Sequence, residues 1–168
     1  MSGKLKIYSI DTFELGCTFL YCRIKFNRED LTEKKFSLIS DYDQVGPCID
    51  EIIAHLSSQG IEQFTCNAVT ISLTEAINNV IKHSYKGEPN HLIEVKVSKI
   101  DNLLNIVIVD TGSPRPNLDV RELDFDPSDI DNLPEGGMGL FIIKQLMDEM
   151  SYYTINGENY FALKKWLY

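Results

Sequence analysis

Glu75 and Asn79 stand four residues apart in Ser72-Leu-Thr-Glu-Ala-Ile-Asn-Asn-Val-Ile-Lys-His-Ser-Tyr85, a stretch whose pattern predicts a helix. At that spacing the two side chains lie one turn from each other. A carboxylate so placed can accept a proton, and the amide oxygen beside it suits a hard cation such as Mg²⁺. Val69, Leu73, Ala76, Ile77 and Val80 make the core-facing stripe, and Ser72, Glu75, Asn79, Lys82 and His83 share an adjacent polar face. Taken alone, this describes a solvated surface helix first. Residues farther along the chain give the face its chemistry.

Two further pieces lie downstream. Asp110-Thr-Gly-Ser-Pro114 puts an acid at the mouth of an apolar run, followed by a glycine that lets backbone approach a flat ligand closely. A buried carboxylate there can accept a hydrogen bond from an exocyclic amine such as that of adenine. Gly136-Gly-Met-Gly139 leads into an amphipathic stretch, and the free N–H groups of a helix start favour phosphate. Each piece alone is a common turn or a common helix start.

The elements that must position them are set by periodicity. Lys4 to Ile10 and Thr18 to Phe26 read as strands, and Phe36 to Ser40 as another. A helix comes next, capped by Asp41 or Asp43, with Pro47 in its early part and Gly60 at its stop; Val45, Ile49, Ile52, Ile53 and Leu56 are its buried stripe. His55 on that helix reads as a partly packed histidine. The Glu75 helix spans about 65–83. Leu92 to Ser98 and Leu103 to Val109 are strands joined by an Asp101-Asn102 turn. Thr111 to Glu135 is a long, acidic, proline-containing segment of the kind that usually carries function. A helix from Gly136 to Asp148, with Leu140, Ile143, Leu146, Met147 and Met150 apolar, precedes two strands about an Asn156-Gly157 turn. The order predicts an α+β two-layer sandwich, a mostly antiparallel mixed sheet with helices on one face.

The 168 residues suit one domain, 43% hydrophobic and 24% charged. A net charge of -9 argues against a nucleic-acid partner, which requires clustered Lys and Arg. No apolar run suggests a membrane span or signal peptide, so a cytoplasmic location is expected. Cys17, Cys22, Cys48 and Cys66 have no metal-site spacing and read as reduced structural thiols.

In order and spacing the three pieces resemble the N, G1 and G2 boxes of the GHKL ATPase superfamily. Glu75-Ala-x-x-Asn79-x-x-x-His83 matches the first, Asp110-x-Gly112 the second and Gly137-x-Gly139 the third. The stretch through Tyr85, and Leu133-Pro-Glu-Gly-Gly-Met-Gly-Leu-Phe-Ile-Ile143 with Leu146-Met-Asp-Glu149 after it, more closely resemble the anti-sigma-factor serine kinases of bacterial partner-switching systems. The resemblance covers about residue 36 to the C-terminus. It implies the GHKL (Bergerat) ATP-binding fold over 36–168, with an ATP lid at 111–135 and residues 1–35 as an added strand extension.

By the same resemblance Glu75 is the catalytic general base toward a serine hydroxyl, Asn79 the ligand of Mg²⁺, and Asp110 with Gly112 the adenine-reading turn. The backbone of Gly136, Gly137, Met138, Gly139 and Leu140 would cradle phosphate. Lys82 and His83 are further nucleotide-site candidates, each equally explained as a solvated lysine and a packed helix-end histidine. Where the family commonly carries a threonine near the start of the last strand, this chain has Asn159-Tyr160, which leaves that adenine contact open. Arg115 and Arg121 are the lid's only basic residues.

The implied function is a Mg²⁺-ATP-dependent protein serine kinase and anti-sigma factor. Its implied partners are an anti-sigma antagonist of STAS type, a sigma factor and a second copy of itself. The alternatives are a nucleotide-binding regulatory module that sequesters a partner without efficient phosphoryl transfer and, last, a sensor histidine kinase domain, which needs a helical phosphoacceptor hairpin that the strand-like first residues do not suggest.

Overall fold

The computed structural model describes residues 33–115 and 138–168. The expected strands before residue 33, most of the expected lid, Gly136 and Gly137 lie outside them. Five strands form one sheet: β1 (Lys34–Ile39), β2 (Leu92–Ile100), β3 (Leu103–Asp110), β4 (Glu149–Ile155) and β5 (Glu158–Trp166). Their order is β1-β2-β3-β5-β4. Every neighbouring pair is antiparallel, so the sheet expected to be mixed is wholly antiparallel among the described strands. Each consecutive strand pair β2–β3 and β4–β5 is closed by a two-residue hairpin, which only antiparallel neighbours allow.

The strands alternate as their sequence does. Phe36, Val95, Ile108 and Phe161 are register partners across four strands and all point into the core. With Ile93, Leu104, Ile106 and Leu163 they meet the apolar sides of α1 (Tyr42–Ser58), α2 (Gln63–Asn79) and α3 (Met138–Leu146). The helices therefore cover one face of the sheet, the two-layer arrangement expected.

α1 starts where Asp41 accepts the Asp43 N–H at 3.0 Å, and Asp41 rather than Asp43 is the cap. It ends at Gly60, whose φ of +75° few other residues tolerate. Its His55 is half-buried, its ring 5.9 Å from that of Phe36, as a packed histidine should be. Cys48 and Cys66 are free and buried; burial, then Glu51, push the Cys48 thiol up. Asn156 and Gly157 both have positive φ, 53° and 84°, the pairing that a two-residue hairpin with the twist of its strands requires.

α2 lies between α1 and α3, touching both. That placement corrects one expectation. Ser72, assigned to the polar face, is fully buried, because a helix flanked on two sides buries a wider arc than one stripe. Met150 also moves: α3 ends at Leu146, and Met150 belongs to β4, opposite Leu163. Beyond Asn79 the chain keeps helical direction but widens into a π-helical turn, Val80–Ser84, with the Tyr85 N–H on the Val80 carbonyl at 3.1 Å. Such turns recur at functional sites. Among the described residues no helix is long and apolar enough to cross a membrane.

Candidate functional site

Seven of the residues singled out from the sequence line one cleft. Glu75, Asn79, Lys82 and His83 come from α2 and its π-helical turn; Met138, Gly139 and Leu140 come from the first turn of α3. The cleft is about 420 Å³ and also receives Tyr42 and Arg115. α2 and α3 pack side by side here, and the contact is close because residue 139 has no side chain. A Cβ on Gly139 would stand 2.5 Å from Glu75 Oε2 and 3.3 Å from Asn79 Nδ2. Gly139 thus leaves the backbone of a helix start facing a carboxylate and an amide, with nothing between them.

Asn79 Nδ2 is buried and has no hydrogen-bond partner among the described residues. Buried amides are rarely left so, and an unpartnered one in a cleft wall points to a ligand. The oxygen and nitrogen of an amide exchange places by a flip, so the same side chain can present its oxygen to a cation. Asn79 beside Glu75, facing α3 across Gly139, therefore fits a Mg²⁺-bound phosphate chain.

The Asp110 carboxyl sits behind this cleft, at the end of β3. Asp110 is 3% exposed. Its Oδ1 accepts the Gly112 N–H at 2.9 Å, which closes the turn, and a second bond from Asn159 Nδ2 at 2.8 Å. Asn159 was not singled out as a site residue from the sequence, yet it is 1% exposed and fully engaged. Its Nδ2 also donates to the Gly112 carbonyl at 3.0 Å, while its Oδ1 accepts from Thr154 Oγ1 at 2.9 Å. The ladder explains the meeting: Asn159 is the register partner of Asp110 on β3 and of Thr154 on β4.

Gly112 also permits a close approach within the protein. A Cβ there would meet the Ser84 carbonyl oxygen at 2.6 Å. The glycine lets the turn approach the end of the π-helical segment closely, and the Ser113 N–H donates to the Ser84 carbonyl at 2.9 Å. Tyr85 OH adds a further tie, accepting from the Thr111 N–H at 3.0 Å and donating to the Leu92 carbonyl at 2.9 Å. The Asp110 turn is thereby fixed to the same helix that carries Glu75 and Asn79.

Between the two parts lies Arg115. Its guanidinium Nη2 donates to the Asn79 carbonyl at 2.6 Å, and its backbone N–H donates to Tyr152 OH at 3.0 Å. Burial pulls the Arg115 guanidinium downward in pKa, with Tyr152 and Asp110 opposing. His83 is exposed at the rim; partial burial, then the Arg115 and Lys82 charges, hold its imidazole below the usual histidine range. The crevice in front of Asp110, walled by Ala76, Val80, Arg115, Tyr152 and Phe161, has only about 10 Å³. A base can enter it only when those side chains move.

Comparisons with known proteins bear on the family and the fold. The family described as the histidine kinase-like ATPase domain matches residues 38–164. The serine-protein kinase RsbW of two Staphylococcus aureus strains is 28% identical to this chain over 144 residues, 83% of this chain and 81% of the relative. The crystal structure of the RsbU and RsbW domains of a Mycobacterium tuberculosis protein aligns with a TM-score of 0.58 at 14% identity. That alignment covers 80% of this chain and 32% of the other, and carries the fold.

Proposed function

The chain belongs to the histidine kinase-like ATPase domain family, and from that premise we propose that it is an ATP-dependent protein serine kinase. Its substrate is the serine of an anti-sigma antagonist of STAS type, and the protein also holds a sigma factor in alternation with that antagonist. The observation that carries the proposal is the meeting of Glu75, Asn79 and Gly139 in one cleft, within reach of the helix start at Met138 and Leu140. The serine kinases among the relatives support the reaction class.

In this reading the adenine lies toward Asp110 and Gly112, and the triphosphate runs toward the start of α3. Backbone N–H groups there, from Gly136 and Gly137 through Leu140, take phosphate oxygens with the favourable end of the helix dipole. Asn79 would hold Mg²⁺, which when bound would neutralise phosphate charge. Glu75 accepts the proton of the incoming serine hydroxyl. The serine oxygen then bonds to the γ-phosphorus as the bond from that phosphorus to the ADP oxygen breaks, leaving phosphoserine and ADP. Lys82 and His83, exposed at the rim, meet phosphate or the incoming partner. A second copy of the chain and a sigma factor complete the assembly.

The test is intact-mass analysis of a STAS-type antagonist after incubation with this protein and Mg²⁺-ATP. The expected result is a single phosphate on a serine, lost in Glu75→Ala while ATP affinity persists. Binding of both ATP and antagonist without any phosphate transfer would replace the kinase with a nucleotide-gated binding module.

A further inference from the structure

We propose that Arg115 is the residue by which this site tells a nucleotide from a nucleoside, contacting the phosphate nearest the ribose. The inference rests on the nucleotide reading above and extends it to a residue outside the three motifs.

Position comes first. Among the described residues, Asn79 and Arg115 alone line both the Glu75–Asn79–Gly139 cleft and the Asp110 crevice. A ligand with its base at Asp110 and its terminal phosphates at Gly139 must pass this side chain, and the part that passes is the ribose and the first phosphate.

Chemistry comes second. The guanidinium is partly buried, and among the described residues no carboxylate lies within ion-pair distance of it. Its one side-chain hydrogen bond among them goes to a neutral acceptor, the Asn79 carbonyl. Among the described residues the partly buried guanidinium is held by a neutral carbonyl alone, whereas this fork of donors is matched by carboxylate or phosphate. The acceptor it borrows belongs to the residue whose own amide is also unpartnered. A phosphate entering the cleft takes the guanidinium and releases that carbonyl.

Closure comes third. Arg115 walls the crevice of about 10 Å³ that a base must enter. A nucleoside has to break the Arg115–Asn79 bond with nothing to replace it; a nucleotide replaces it with a charge-assisted one. The two ligand classes therefore respond oppositely to loss of the guanidinium, which a residue of merely structural use would not produce.

The experiment measures equilibrium binding of ATP, ADP, AMP and adenosine to the full chain and to Arg115→Gln and Arg115→Lys. In Arg115→Gln the three phosphorylated ligands should each weaken by about tenfold, with adenosine unchanged or tighter. Arg115→Lys, which keeps the charge without the fork, should fall between. Parallel weakening of all four ligands would reduce Arg115 to a structural tie, and unchanged nucleotide affinity would remove it from the site. Weakening of ATP alone would move the contact to the terminal phosphate and overturn the assignment. If the unaltered protein binds neither ATP nor adenosine, the nucleotide reading itself fails, an outcome distinct from these.

Discussion

At the end of the cleft proposed for the base, Asp110 and Asn159 are buried and bonded to each other, to both polar groups of Gly112 and to Thr154. At the end proposed for phosphate, Asn79 Nδ2 has no partner among the described residues and Arg115 holds a neutral carbonyl. The first end is finished by the protein's own bonds; the second is left for a ligand to finish. The difference matches what each end must read. A base is planar and rigid, so a carboxyl fixed by neighbours on two adjacent strands presents a constant acceptor. A phosphate chain with its cation is flexible and highly charged, and groups that gain their partners only on binding favour it most.

The sharpest way to break the phosphate end is to fill it. Gly139→Ala puts a methyl 2.5 Å from Glu75 Oε2, so the carboxylate or α3 must shift. Displacement of reacting groups by about 1 Å can cost about 100-fold in rate, and a fall of that order is expected in phosphate transfer to the antagonist. Alanine is the better helix former by roughly 1 kcal/mol, so thermal stability should hold or rise. A variant as active as the parent would show that the close approach of α3 to Glu75 has no bearing on the chemistry.

This asymmetry was only half legible in the sequence. The phosphate end is local: Glu75 and Asn79 are joined by helical spacing, and Gly139 by its place at a helix start. Those features stand in the chain whatever the sheet does. The base end depends on register. Asn159 comes just after an Asn156-Gly157 turn and looks like part of it; only the pairing of β3, β5 and β4 sets it opposite both Asp110 and Thr154. Thr154, one strand over, donates its hydroxyl to Asn159 Oδ1. The π-helical turn escaped for another reason. Periodicity of 3.6 extrapolates a helix through His83, and the widened turn is set by the contact of Ser84 with the Gly112–Ser113 backbone, which is a tertiary event.

Asn159 offers the next test, at the finished end. Asn159→Leu keeps the size but leaves Asp110 Oδ1, the Gly112 carbonyl and Thr154 Oγ1 short of partners. Thr154 is exposed and turns to water, and Asp110 Oδ1 keeps the Gly112 N–H, so the loss amounts to about one buried partner at on the order of 1–3 kcal/mol, and a drop of about 2 kcal/mol in unfolding free energy is expected. The preference for ATP over GTP should fall by about tenfold as the carboxyl loses its fixed orientation. Asn159→Thr, which supplies a hydroxyl donor in place of the amide, should recover part of the selectivity. Full selectivity in Asn159→Leu would mean that the Gly112 N–H alone orients Asp110.

The smallest effect is at the rim. His83 has its pKa held down by partial burial, then by Arg115 and Lys82. A histidine depressed in the folded state binds fewer protons there than in the unfolded chain, so its contribution to stability is whole above the unfolded value, about 6.5, and declines as pH falls below it. Because His83 is exposed, that decline is slight and is better read site by site than from a melting curve. An NMR titration of its ring protons should place the midpoint below the free-histidine value in the unaltered protein. In Arg115→Gln one of the two cations is gone and the midpoint should move up. ATP binding should move it up in the unaltered protein as well, since phosphate charge favours the imidazolium and draws Arg115 to itself. A midpoint that ignores both the substitution and the nucleotide would place His83 and Arg115 outside each other's field, and would separate the rim from the end of the cleft that a ligand completes.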